Sequence, residues 1–196
     1  MKKLVVASSN PGKLQELLRL FDGLDYELYP QSELNVPDVA ETGTTFVENA
    51  IIKARNAAQH TGFAALADDS GIEVDALNGA PGVYSARFSG ADASDEANNA
   101  LLVEKLRAVP EQQRSARYRA VIVFMRNAAD PSPIICEGSW EGQILLEPRG
   151  QGGFGYDPYF YLPENGCTSA ELSAEQKNQQ SHRGKALREL LKKLPR

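Results

Sequence analysis

The sequence predicts an α/β fold organised around a mixed β-sheet, and three observations carry that prediction. Short apolar runs of strand length alternate along the chain with segments of helical periodicity. Two longer segments, Arg117 to Met125 and Ile134 to Ile144, alternate in polarity and are joined across Asn127-Ala128-Ala129-Asp130-Pro131, the pattern of antiparallel strands. No internal repeat, low-complexity tract or linker interrupts the 196 residues, which suffice to bury a sizeable core as one domain spanning residues 1–196. Helices interleaved with strands, some of them hairpin-linked, place the chain in the α/β class.

Taken in order, Leu4 to Ala7 is a buried-strand run ended by the turn residues Ser8-Ser9-Asn10-Pro11-Gly12. From Lys13, the spacing of Leu14, Leu17, Leu18 and Phe21 marks one helical face, with Gly23 as the stop. Leu24 to Pro30 reads as a second strand and Gln31 to Gly43 as a polar loop. Thr45-Phe46-Val47-Glu48 has capping-box spacing, and Phe46, Ala50, Ile51, Ala54, Ala57 and Ala58 continue a helix to about His60. Phe63 to Ala67 reads as a third strand ending at Asp68-Asp69-Ser70-Gly71, and Ile72 to Leu77 as a separate extended segment before the Asn78-Gly79 turn. Pro81 to Ala91 reads as loop and Asp95 to Ala108 as helix. Beyond the two long strands come a glycine-rich loop, Gly150 to Asp157, a short strand, Tyr159 to Leu162, and a last helix from about His182 to Leu194.

Composition narrows the function. A net charge of −5 argues against a protein that works by neutralising a nucleic-acid backbone, so no nucleic-acid partner is expected. A local cluster of Lys and Arg can still serve a small anion. Cys136 and Cys167 lack metal-ligand spacing and suit a reducing compartment. The apolar run after Met1 is too short for a signal peptide and no segment approaches membrane-span length, so a cytoplasmic protein with no membrane partner is expected.

Three polar clusters lie where predicted elements end. Ser8-Ser9-Asn10-Pro11-Gly12-Lys13 joins a strand to a helix N-terminus, where free N–H groups, hydroxyls and an ammonium make a cradle for phosphate oxygens. The ordinary alternative is a plain cap by Asn10 or Ser9 with Lys13 solvated. Asp68 and Asp69 bring two carboxylates together at a strand end, which suggests a Mg²⁺ site, with Glu41 as a second ligand. The alternative is an acidic turn with Asp68 exposed. The third cluster comprises Gly152-Gly153-Phe154-Gly155-Tyr156-Asp157-Pro158, then Lys177, then Ser181-His182-Arg183. Its loop can present an aromatic face to a base, and the Arg183 fork suits a purine's O6 and N7. His182 and Arg183 oppose the dipole of the helix they begin, so something must compensate them, such as an anionic ligand. Lys53 either reaches a phosphate or is a solvated surface lysine, His60 reads as a surface residue and Trp140 as core or interface.

Together the clusters resemble the non-canonical purine nucleoside triphosphate pyrophosphatases, the inosine triphosphate pyrophosphatase (Ham1-like) family, from Leu4 to about Leu190. The motifs are Ser8-x-Asn10-x-x-Lys13, Phe46-x-Glu48-Asn49-Ala50-x-x-Lys53-Ala54, Ala67-Asp68-Asp69-Ser70-Gly71, Gly79 to Arg87, Gly153-Phe154-Gly155-Tyr156-Asp157-Pro158 and Ser181 to Ala186. One departure is Ser8-Ser9-Asn10 where the family usually has Thr-Gly-Asn. The resemblance implies a curved mixed sheet with two lobes and a substrate cleft between them, a homodimer, and a role in cleansing the nucleotide pool of deaminated purines. It further implies that Ser8 to Lys13 hold the triphosphate with Lys13 near the reacting phosphate, and that Asp69 is general base and metal ligand with Glu41 the other metal carboxylate. Ser70, Phe154, Gly155, Tyr156, Asp157, Lys177, His182 and Arg183 would contact substrate.

The reaction so expected is Mg²⁺-dependent attack of water on the α-phosphorus, releasing pyrophosphate, with Lys13 and Lys53 neutralising the phosphates. Hypoxanthine and xanthine present a carbonyl at C6 where adenine presents an amino group, so a donor such as Arg183 would select between them. The rivals are a non-catalytic nucleotide sensor and a pyrophosphatase for modified pyrimidine nucleotides.

Overall fold

The computed structural model describes residues 1–194, so the last two positions of the expected 1–196 domain lie outside the described residues. Its strands are Lys2–Ala7 (β1), Tyr26–Pro30 (β2), Ala64–Val74 (β3), Ser115–Met125 (β4), Ile134–Ile144 (β5), Phe160–Leu162 (β6) and Cys167–Thr168 (β7). Its helices are Pro11–Phe21 (α1), Phe46–Thr61 (α2), Asp95–Leu106 (α3), Ala174–Gln180 (α4) and His182–Lys193 (α5). The strands form one sheet in the order β2-β1-β3-β4-β5-β6-β7. β1 is parallel to β2 and to β3, whereas β6 is antiparallel to β5 and β7, so the sheet is mixed, as the sequence predicts.

The chain folds as two compact units, and β3, β4 and β5 each supply residues to both. The first holds Met1–Asp69, Ala120–Gly138 and the chain from Arg183; the second holds Ser70–Arg119 and Ser139–His182. Burial along β4 changes character at this division. Ala120 to Met125 is buried throughout, while Ser115 to Arg119 alternates. In the first unit both sheet faces are covered, which demands a continuous apolar run rather than alternation. Val5, Ala7, Ala65, Ala67, Val121 and Val123 pack with Ala50, Ala54 and Ala57 of α2. Leu4, Val6, Leu66, Ile122 and Phe124 pack with Leu17 and Phe21 of α1 and Leu187 and Leu190 of α5. The core of the second unit gathers Ile72, Val74, Leu102, Leu106, Tyr118, Ile144 and Phe160, with Trp140 among them.

Local signals set the helix starts. Asn10 accepts the Lys13 N–H and Pro11 opens α1 with its fixed φ. Thr45 and Glu48 close a full capping box on α2. Leu18 departs from the predicted apolar face of α1 and is exposed. The largest departure is in β3, which does not stop at Ala67 but continues through Asp68, Asp69, Ser70 and Gly71 to Val74. Cations from three helices neutralise the carboxylates there, so the acidic pair does not force a turn. β2 begins two residues late, α3 ends two residues early, and short 3₁₀ turns occupy Gln31–Leu34 and Gly82–Arg87 within the predicted loops. α4 is absent from the sequence reading, although Ser173 and Gln176 form its capping box.

Candidate functional site

Two polar constellations stand out, one inside each unit. The first is organised by strand alternation. Consecutive residues of a strand point to opposite faces, so Asp68 and Asp69 serve different helices. Asp68 shares its face with Leu66 and meets α1 and α5: its Oδ2 lies 2.9 Å from Lys13 Nζ and 3.3 Å from Arg183 Nη2. Arg183 Nη1 in turn pairs with Glu16 of α1. Asp69 shares its face with Ala67 and meets α2: Lys53 Nζ donates to Asp69 Oδ1 at 2.7 Å, to Glu41 Oε1 at 3.0 Å and to the Asp68 carbonyl at 2.9 Å.

Electrostatics separates the neighbours. Burial penalises the Asp68 carboxylate, but Arg183 and Lys13 outweigh it and hold the group well below the ordinary carboxylate range. For Asp69 burial dominates, and the carboxyl sits above its ordinary value despite Lys53 and Lys13. Burial likewise tends to lower Lys53, yet Asp69 and Glu41 outweigh it and raise the ammonium. Asp69 Oδ2 is buried without a hydrogen-bond partner, a costly state for a charged oxygen in a folded protein.

These positions correct three sequence alternatives. Asp68 is buried rather than exposed in a turn, and Lys13 and Lys53 are engaged with carboxylates rather than solvated. At the basic start of α5, Arg183 pairs with Glu16 and Asp68. The Arg183 fork expected to face a purine therefore gives both terminal nitrogens to protein carboxylates. Glu16 escaped the sequence reading, although it lies one helical turn after Lys13. Ser8 is buried and its hydroxyl accepts the Asn10 N–H, while Ser9, Asn10 and Pro11 are exposed at the start of α1.

Glu41 and Asp69 suit Mg²⁺. Two carboxylates converge on one cationic point, and one of them retains an unpartnered oxygen. Mg²⁺ takes one or two protein carboxylates and completes its shell with water and phosphate oxygens. Among the described residues no larger cluster of His, Cys, Asp and Glu is arranged for a metal. The Glu41 loop is anchored to α2, because Gly43 N–H donates to Asn49 Oδ1 and Thr44 and Thr45 donate to Glu48. A Cβ at Gly43 would stand 2.5 Å from Glu48 Cβ, so only glycine fits this junction.

The second constellation centres on Asp157, which is buried and accepts four hydrogen bonds. Ser169 Oγ (2.8 Å) and Tyr118 Oη (3.3 Å) donate to Oδ1; Lys177 Nζ (2.6 Å) and the Phe154 N–H (2.9 Å) donate to Oδ2. Lys177 Nζ also lies 4.8 Å from the Phe154 ring centroid, a cation–π contact. Gly153 closes the loop at φ +75°, where a Cβ would fall 2.0 Å from Asp157 Oδ2. The Tyr118 ring stacks on His182 with centroids 4.7 Å apart. Tyr156 is buried and donates to the Ser85 carbonyl at 2.7 Å. Of the predicted set, Phe154, Tyr156, Asp157, Lys177 and His182 thus sit in this unit, as does Ser70, half-buried on β3. Tyr118 and Ser169 were missed because neither falls in a recognisable motif; the alternation of Ala116 and Tyr118 with Arg117 and Arg119 marks the first only as an inward-facing strand residue.

Comparison with known proteins shows the family of the chain. The model described as "Ham1 family" matches residues 4–193. The chain is 56% identical to a protein of Vibrio parahaemolyticus named dITP/XTP pyrophosphatase, over 99% of this chain and 97% of that one. It is 57% identical to a protein of the same name from Thioalkalivibrio sulfidiphilus, over 98% of each. Among solved structures, a HAM1 protein from Coxiella burnetii matches with a TM-score of 0.91 at 51% identity, covering 99% of this chain and 100% of that one. No described helix is long and apolar enough to cross a membrane. The chain belongs to the Ham1 family.

Proposed function

We propose that the protein is a nucleoside triphosphate pyrophosphatase that hydrolyses non-canonical purine nucleotides, inosine and xanthosine triphosphates and their deoxy forms, to the monophosphate and pyrophosphate. The observation that carries this reading is near-complete likeness to relatives named for that activity, in a chain that supplies both carboxylates and both lysines the reaction needs. Water attacks the α-phosphorus. A bond forms from the water oxygen to phosphorus, the bond from phosphorus to the α,β-bridging oxygen breaks, and pyrophosphate leaves. Asp69, whose burial favours its protonated form, accepts the proton of the water. Ser8 to Lys13 and Lys53 hold the phosphates by hydroxyl, backbone N–H and ammonium groups. Asp69 and Glu41 would hold Mg²⁺, which would supply charge neutralisation at the phosphate oxygens.

Phe154, Gly155, Tyr156, Asp157, Lys177, His182 and Ser70 serve the nucleoside. Phe154 offers a stacking face and Lys177 a donor beside it. Arg183 reads the C6 carbonyl only if Glu16 yields one of its nitrogens, so base recognition by this residue entails exchanging one partner for another. The chain acts as a single catalytic domain, residues 1–196, in a homodimer, in the cytoplasm and without a nucleic-acid or membrane partner; the net negative charge supports the lack of a nucleic-acid partner.

The test is incubation with Mg²⁺ and, separately, inosine, xanthosine, guanosine and adenosine triphosphates, with identification of the phosphate product. Pyrophosphate released mainly from the inosine and xanthosine nucleotides is expected. Orthophosphate would place the cut at another bond, and binding without turnover would favour a sensor.

A further inference from the structure

The aromatic loop is fixed by a helix that no motif includes. Gly155, between Phe154 and Tyr156, has both backbone polar groups held by α3: its N–H donates to Asp95 Oδ2 at 2.7 Å, and its carbonyl accepts from Asn99 Nδ2 at 2.9 Å. Asp95 and Asn99 are four residues apart, so they lie on one face of the helix, one above the other. Asp95 is exposed, whereas Asn99 is buried and retains an Oδ1 without a hydrogen-bond partner. A buried amide with an unsatisfied acceptor is unfavourable for folding alone, and what the residue gains is the single bond to Gly155. The neighbouring Asn98 holds a second loop: its Oδ1 accepts from the Ser89 N–H and hydroxyl, and its Nδ2 donates to the Ala86 carbonyl. Tyr156 then ties the two loops together through the Ser85 carbonyl.

We infer that Asp95 and Asn99 are positioning residues for purine recognition: by gripping both sides of the Gly155 peptide they set the plane of the Phe154 ring against which the base lies. The inference rests on the reading of Phe154 as the base-stacking residue. Gly155 is at φ +62°, a conformation glycine adopts without cost, so its own backbone does not fix the ring. On one side Asp157 holds the loop, its carboxylate accepting the Phe154 N–H and its own N–H donating to the Phe154 carbonyl; on the other the α3 pair holds both polar groups of Gly155. The residues assigned to the phosphates belong to the other unit, and none of them takes part in the two hydrogen bonds to Gly155.

The experiment compares Asp95→Ala, Asn99→Ala and the conservative Asp95→Asn, which keeps an oxygen acceptor for the Gly155 N–H. Steady-state kinetics on inosine triphosphate is combined with calorimetric binding of inosine monophosphate and, separately, of inorganic pyrophosphate. Each alanine variant is expected to raise KM and weaken inosine monophosphate binding by about tenfold, the effect of one lost hydrogen bond, with kcat within about threefold. Pyrophosphate binding should not change, and Asp95→Asn should restore most of the loss. Equal weakening of both ligands would mean general loosening of the fold and would overturn the inference, as would unchanged inosine monophosphate binding in Asp95→Ala, a surface change that leaves the core intact. A wild-type protein that fails to cleave inosine triphosphate would count against the proposed activity, while the inosine monophosphate arm still decides the role of α3.

Discussion

Asp69 in the first unit and Asp157 in the second are both buried carboxylates beside a lysine, yet the protein treats them in opposite ways. Asp157 accepts four donors and has no capacity left; Asp69 accepts from Lys53 and keeps one oxygen without a partner. A saturated carboxylate is a fastener, because any movement breaks several bonds at once. An undersatisfied one is available to a proton or a cation, at a standing cost to the fold. On the proposed reaction, the contrast separates a residue that would do chemistry from one that holds others still.

Substitution at Asp69 sharpens the comparison most. Asp69→Asn keeps shape and removes the proton acceptor, so kcat should fall on the order of 10³-fold while stability changes by less than about 1 kcal/mol. Steady-state kinetics and urea denaturation together check this; an active variant would remove Asp69 from the reaction. The reverse pattern is expected at Asp157. Asp157→Asn deprives the Lys177 ammonium of its carboxylate partner inside the fold, which should cost about 3–5 kcal/mol of unfolding free energy. Full turnover loss with unchanged stability would erase the distinction between the two aspartates.

A third aspartate provides the mildest case. Asp130 lies between β4 and β5, where it accepts from the Arg126 guanidinium and from the Arg126 and Ser132 N–H groups. The hydrogen bonds from Arg126 hold its carboxyl below the ordinary range. A depressed carboxyl contributes stability that is complete above the ordinary value, near ~3.9, and is lost as pH falls through the folded value. Asp130→Asn should thus cost about 1 kcal/mol at neutral pH and flatten the acid limb of the stability profile. A limb of unchanged steepness would assign acid sensitivity to other carboxylates.

Much of this was legible in the sequence. Apolar runs located the strands, and Asn10, Thr45 and Glu48 marked helix starts, because periodicity and capping are local properties. The acidic pair was legible as a site but not as part of a strand. Whether Asp68 and Asp69 end β3 depends on Lys13, Lys53 and Arg183, which lie 55, 15 or more, and over 110 residues away in sequence, as the pairings show. Asp95 and Asn99 were illegible for a different reason. Their partners are the backbone groups of a distant glycine, and a backbone carbonyl leaves no signature in residue identity.

The alternation along β3 also determines which genetic changes the protein can absorb. Side chains on a strand are addressed by parity, so Asp68 and Asp69 reach different helices only while the count of residues from the paired Ala64 to Ala67 is kept. Deleting one residue there would turn Asp69 toward the partners of Asp68 and put Ser70 in its place opposite Lys53. Such a chain would retain every functional residue in its composition and have lost their addresses. A change of length in this segment is therefore a closed route for drift, and the buried Ala65 and Ala67 leave little room for a larger side chain.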